Sequence, residues 1–156
     1  MAVMRRRILP AALALIALAI APGLARASDA SVRHALSAYE SRLTADIGRL
    51  ANFSVPSRAT AAATLAALTK VQADLNGAVR AANGQRASTS AGRRGRTLVL
   101  SGLGEALSAA SDAKAAATAA RSGHTATAKA ETTKEQAAIN RAIPRFESGG
   151  KLLHLF

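Results

Sequence analysis

Apolar positions return at helical spacing through most of this chain. Val32, Leu36, Tyr39, Leu43, Ile47 and Leu50 follow one another at intervals of three and four residues, which lines one face of a helix. Arg33, Glu40, Arg42, Asp46 and Arg49 fall on its other faces. The stripe predicts a first helix over 29–51, with Ser28 or Asp29 as its N-terminal cap. Residues 52–56 interrupt it, because Pro56 biases Val55 toward an extended backbone. A second helix is expected from Ser57, which can cap it, to Asn83-Gly84, a dipeptide suited to a left-handed stop. Its stripe is Leu65, Leu68, Val71, Leu75, Val79 and Ala82. Gly77 interrupts the pattern at a cost of about 1 kcal/mol relative to Ala, and it leaves room for close approach of a neighbouring helix.

Residues 84–92 read as a connector. Ser88, Thr89 or Ser90 can cap a third helix carrying Leu100, Leu103, Leu107 and Ala110. Beyond Leu107 that face thins to Ala113, Ala117 and Ala120, and Arg121-Ser122-Gly123 ends it. Residues 97–100 are β-prone, but a single strand has nothing to pair with. A fourth helix is expected from Thr125 to Ile143, anchored by Ile139 and Ile143 and stopped or kinked at Pro144. Ser148-Gly149-Gly150 then reads as a flexible hinge before an apolar tail ending at Phe156. That tail either folds back into a groove or docks on a partner or membrane surface.

Short links between helical segments favour antiparallel neighbours. The fold expected is all-α, an antiparallel four-helix bundle or a pair of helical hairpins, placed after an N-terminal signal peptide. The domains expected are a signal peptide over 1–27, an alanine-rich helical unit over 28–147, and the hinge and tail over 148–156.

The signal peptide rests on Arg5, Arg6 and Arg7, an uncharged run over 8–21, helix-breaking Pro22-Gly23, and the small residues Ala25 and Ala27 ahead of Ser28. The run has about 14 residues where a bilayer span needs about 20, so cleavage before Ser28 is preferred and an N-terminal membrane anchor is the alternative. Arg5-Arg6 resembles a twin-arginine signal, although Met4 stands where that signal carries a polar residue; the general secretory route is preferred. The abundance of Ala and Arg suits a GC-rich bacterial genome. Secretion, the periplasm or the cell envelope is the expected destination.

Composition narrows the chemistry further. The 156 residues include no Cys and no Trp, one Tyr and three Phe. Disulfides, thiolate metal sites, Cys nucleophiles and a lipidated Cys are thereby excluded. His34, His124 and His154 stand far apart, no Glu-x-x-His pair exists, and no G-x-S-x-G elbow is present. Gly92-Arg93-Arg94-Gly95 lacks the Lys-Ser/Thr of a phosphate loop. Asp46, Asp74, Asp112, Glu131 and Glu135 have basic residues close in sequence and read as a solvated helix surface. No catalytic residue, metal or cofactor is assigned, and an enzyme is not expected.

Charge supplies the one asymmetry. Removal of residues 1–27 takes four Arg and no acid, leaving 17 basic against 9 acidic side chains, a net +8. Arg80, Arg86, Arg93, Arg94 and Arg96 lie within 17 residues that hold no acid. Guanidinium groups clamp phosphate or carboxylate with paired hydrogen bonds. The expected role is therefore structural or interactive, in a secreted or envelope-associated helical protein that a partner protein can join. The alternative is binding of anionic envelope polymers or membrane surfaces through this cluster. Specific nucleic-acid reading is not expected, since aromatic residues do not interleave with the arginines.

Overall fold

The structure, a computed structural model, describes residues 27–155. The arginine triplet and the apolar run of the expected signal peptide lie outside the described residues, as does Phe156. The described chain is all-helical: α1 (Ala27–Ser37), α2 (Glu40–Ala51), α3 (Ala61–Asn83), α4 (Ser90–Arg121) and α5 (Thr125–Leu152). The β-prone residues 97–100 lie inside α4, and no strand occurs among the described residues.

Where a single first helix was expected, two form. The break falls at residues 38–39, where the Tyr39 N–H donates to Leu36 O and Tyr39 O accepts from the Leu43 N–H. Tyr39 causes the offset by turning its ring onto α3. A Cβ at Gly77 would fall 2.8 Å from the ring carbon Cε1, so only glycine admits the ring there. Gly77 thus receives an aromatic side chain instead of the helix backbone expected at it. Arg42 lies 5.9 Å from the same ring centroid and reaches Asp74 at 3.5 Å, which ties α2 to α3.

α3 begins four residues later than Ser57, because Ser57 caps a separate turn whose Thr60 N–H donates to Ser57 Oγ at 3.2 Å. Its end is also built differently. Gly84 stays right-handed at φ −67°, so the expected left-handed stop is not used. The Arg96 side chain instead donates to Ala82 O at 2.9 Å and to Asn83 O at 3.1 Å. Ala82 O also accepts from the Gln85 N–H at 3.3 Å, and the guanidinium adds the donors that a left-handed cap would otherwise supply to the last carbonyls.

α4 starts at a side-chain cap, with Thr89 Oγ1 accepting from the Gly92 N–H at 2.8 Å. Its buried positions Gly92, Gly95, Val99, Gly102, Ala106, Ala109, Ala113, Ala116 and Ala120 alternate at spacings of three and four. This is a sustained heptad seam made of small residues. α5 answers with Ala128, Glu135, Ala142 and Gly149, seven apart, flanked by Ile139 and Leu153. The two helices run antiparallel through the turn at Gly123, whose φ is +80°. Glu105 of α4 receives Arg141 Nε at 3.0 Å and Arg145 Nη1 at 2.7 Å from α5. A Cβ at Gly149 would lie 2.8 Å from Gly95 O and 2.9 Å from Val99 N, so the two backbones touch.

That contact changes the reading of the C-terminus. The segment expected as a hinge, Ser148-Gly149-Gly150, is helical, and both glycines are buried. α5 runs through Pro144 to Leu152. Pro144 and Asn140 are both exposed, so the carbonyl that loses its donor lies on the solvent side, where water can satisfy it. Packing beyond the proline holds the helix together: Phe146 lies over Gly102, and Leu153 over Gly95.

α3 lies along the other side of α4, with Leu68, Val71, Leu75, Ala78 and Ala82 in one core with Leu103 and Ala110. Val32 and Leu36 of α1 and Ile47 and Leu50 of α2 complete it. At the far end of the hairpin Ala119, Ala120 and Ala128 form a separate small cluster, with Val55 laid against them.

Two glycine substitutions should separate propensity from packing. Gly149→Ala gains about 1 kcal/mol in helix propensity, but its methyl meets backbone atoms that cannot rotate away, an overpacking cost of about 1–3 kcal/mol. Denaturant unfolding followed by circular dichroism should show net destabilisation. Gly104, which has nothing within 4 Å of its would-be Cβ, should yield about 1 kcal/mol of added stability when changed to Ala. Equal effects at both positions would refute the close seam.

Candidate functional site

The antiparallel arrangement of α3, α4 and α5 brings the C-terminus of α3, the N-terminus of α4 and the C-terminus of α5 to one end. Arg80, Arg86, Arg93, Arg94 and Arg96 all lie there, on the last turn of α3, the connector and the first turns of α4. Lys151 joins them from α5, since Leu152 and Leu153 pack against Gly95.

The five arginines are not equivalent. Arg96 is half-buried and committed to the α3 carbonyls already described. Arg93 Nη1 donates to Ser88 O and holds the connector against the first turn of α4. Arg80, Arg86 and Arg94 are exposed, and none forms a hydrogen bond or ion pair with a described residue. The sequence cluster therefore divides into two structural clamps and three unengaged cations.

One acid enters this end from far away in the chain. Asp29 of α1 accepts from the Ser88 N–H at 3.1 Å and from the Thr89 N–H at 3.4 Å through Oδ1, while its Oδ2 accepts from the Thr89 hydroxyl. A carboxylate at a helix N-terminus meets unsatisfied N–H groups and the positive end of the helix dipole. Gly92 makes the seat possible, because a Cβ there would fall 2.3 Å from Asp29 Oδ1. Asp29 was expected only to start its own helix, and it caps another one. No local pattern signals a pairing across about 60 residues.

Two carboxylates expected on a solvated surface are buried instead. Glu135 exposes none of its surface and Asp46 only 2%. Glu135 occupies the α5 seam between alanines; its Oε2 accepts from Gln136 Nε2 at 2.7 Å, and Oε1 has no partner. Burial pushes its pKa up to about 7, and the charge of Asp112 on α4 adds to the effect. Asp46 accepts from Arg49 at 3.3 Å through Oδ1, and its Oδ2 is unpartnered. Its pKa is also raised, first by burial and then by Asp74. Asp74 and Glu131 do sit in ion pairs, with Arg42 and Lys134.

His34, His124 and His154 are exposed and lie on α1, in the α4–α5 turn and after α5. No group of three His, Cys, Asp or Glu side chains gathers as a metal site among the described residues. No helix among them is long and apolar enough to cross a membrane. Glu135 has a pKa suited to proton transfer near neutrality, but a substrate cannot reach a carboxyl without exposed surface. Its effect falls on stability. Compared with known proteins, the chain matches no family model, no curated sequence and no solved structure.

The sign of the Glu135 effect follows from linkage. In the unfolded chain the group ionises near its ordinary 4.5, and in the folded chain near 7. Folding therefore takes up a proton between those values, and stability falls as pH rises through that window. The full shift corresponds to about 3 kcal/mol. Denaturant unfolding should give lower stability at pH 8 than at pH 5. Glu135→Gln should remove most of that difference, and an unchanged slope in the variant would contradict the assignment.

Proposed function

We propose that this is an exported bacterial helical protein, folded as a bundle, that acts by non-covalent binding in the cell envelope, with the arginine end as its contact surface for anionic partners. The observation that carries this reading is the division among the arginines. Arg93 and Arg96 hold the α3–α4 connection in place, and Arg80, Arg86 and Arg94 stand on it without internal partners. Unengaged guanidinium groups on a rigid support keep their capacity for paired hydrogen bonds to phosphate or carboxylate. A structural role within the envelope agrees with the same surface, because anchoring to wall polymer or headgroup uses the same contacts.

Export rests on the sequence: the arginine triplet, the uncharged run over 8–21, and the small residues before Ser28. Mass spectrometry of the protein recovered from bacterial culture should find a mature chain beginning at Ser28. An intact N-terminus in the cytosolic fraction would refute export.

Binding is tested by salt-dependent retention on immobilised polyglutamate, a flexible polycarboxylate. The variant Arg80→Gln, Arg86→Gln, Arg94→Gln should elute at clearly lower salt than the wild type. A variant with the same loss of charge elsewhere, Arg58→Gln, Arg121→Gln, Lys129→Gln, should elute between the two. Identical elution of both variants would mean that net charge alone binds, and the assigned surface would fall.

A further inference from the structure

The first large apolar side chain of α5 is Ile139. Ahead of it, over residues 125–137, the buried residues are Ala128 and Glu135 alone. This stretch is also a weak helix in its own right. His124 supplies no side-chain cap, and the first turn holds no acid. Thr132 and Thr133 turn their hydroxyls back onto Ala128 O and Lys129 O, bonds that slightly destabilise a helix. From Ala138 onward the helix is held differently. Ile139, Ala142, Gly149 and Leu153 are buried, and Arg141 and Arg145 reach Glu105. The facing part of α4 is fixed from its other side, by Leu68 and Val71 of α3 and by Lys114 Nζ, which donates to Gln72 Oε1 at 3.0 Å.

The register that sets Gly149 on Gly95 and Ala142 on Gly102 brings Glu135 to Ala109 and Ala128 to Ala116 in further steps of seven. One methyl and one carboxyl therefore dock half of a long helix. We propose that residues 125–137 form a proton-controlled arm, docked along α4 while Glu135 carries a proton and released, with the rest of α5 in place, when Glu135 ionises. In the docked arm an ionised Glu135 has a buried oxygen, Oε1, that no protein donor meets. Release gives that oxygen to water, at the loss of little more than the burial of Ala128.

The charges around Glu135 favour release of the anion. From α4 it is faced by Asp112, a like charge. On α5, Gln136 Nε2 donates to Oε2, while Lys134 is tied to Glu131 at 2.8 Å. Both of these act on Asp112, as does Arg141. α2 also touches α5 and carries Glu40, Arg42, Asp46 and Arg49, none of which acts on Glu135. Glu135 ionises near 4.5 in a released arm and near 7 in a docked one. Between those values the docked form holds the proton and the released form does not. The release equilibrium therefore rises about tenfold per pH unit across that window and levels off above it.

Amide hydrogen exchange of the full chain, corrected for the intrinsic pH dependence of each amide, reads this equilibrium. The amides of residues 129–137 should be far less protected than that of Gly149 and insensitive to low urea, as local opening requires. Their protection should fall about a hundredfold from pH 5 to pH 7. Glu135→Gln, neutral and of the same shape, should abolish the fall. Asp112→Asn should end it at a lower pH. His124→Gln, which removes the exposed imidazole at the adjoining turn, should leave it in place. Arm amides as slow as Gly149 at every pH would overturn the proposal, because opening would then be global. Release without pH dependence, or a full slope retained in Glu135→Gln, would overturn it by taking control away from Glu135. A slope lost in His124→Gln would do the same by assigning control to the imidazole.

Discussion

The distance between α4 and α5 is set by backbone atoms. Along most of the seam, glycine and alanine leave no side chain long enough to hold the helices apart, and at Gly95 and Gly149 the two main chains touch. Burial per residue is small in such a seam, but close approach gathers many dispersion contacts along its length. The rest of the described fold depends on this spacing. α3 packs its leucines on the flank of α4, and α1 and α2 close the remaining apolar surface. The seam also explains why α5 passes Pro144 without stopping. The residues after the proline have a partner helix waiting, and Leu153 ends the contact by lying over Gly95.

The same narrow seam makes Glu135 costly. Among alanines no protein donor meets its second oxygen. A carboxyl in that position is tolerated most easily when protonated, so it joins the pH of the surroundings to the cohesion of the hairpin. Asp29, only partly buried, shows a different arrangement: it is placed at a helix N-terminus, where its oxygens accept from two N–H groups and a hydroxyl. At the arginine end, structure and the proposed binding share one set of residues. Arg93 and Arg96 are used to build the surface, and the remaining arginines are displayed on it.

Much of the architecture was legible in the sequence, where large apolar residues carried it. The stripe from Leu65 to Ala82 corresponds to a helix close to the expected limits, that from Val32 to Leu50 is helical but divided in two, and Thr89, one of three candidate caps, caps α4. The features that escaped were those carried by small residues or by long-range pairing. The three-and-four spacing of Gly92, Gly95, Gly102 and the following alanines is visible in the sequence, but glycine and alanine are weak markers of burial, and the eye follows leucine. With that seam unread, Gly149-Gly150 looked like a hinge and Pro144 like a stop or a kink. Glu135 looked solvated because its neighbours in sequence are charged, whereas its position, seven from Ala128 and seven from Ala142, places it in the seam. The location of the arginine cluster was readable. That two of its members are clamps, and that Asp29 inserts among them, required the fold.

Native-state hydrogen exchange tests the seam most directly, because it reports each backbone amide separately. The amides of Gly95, Gly102, Ala142, Gly149 and Gly150 should exchange only through global unfolding, with protection equal to the slowest in the protein. Those of α1, held by fewer contacts, should exchange earlier through local opening. Rapid exchange at Gly149 and Gly150, at the rate of an unfolded chain, would show that the helices do not meet there, and the account of the fold would fail.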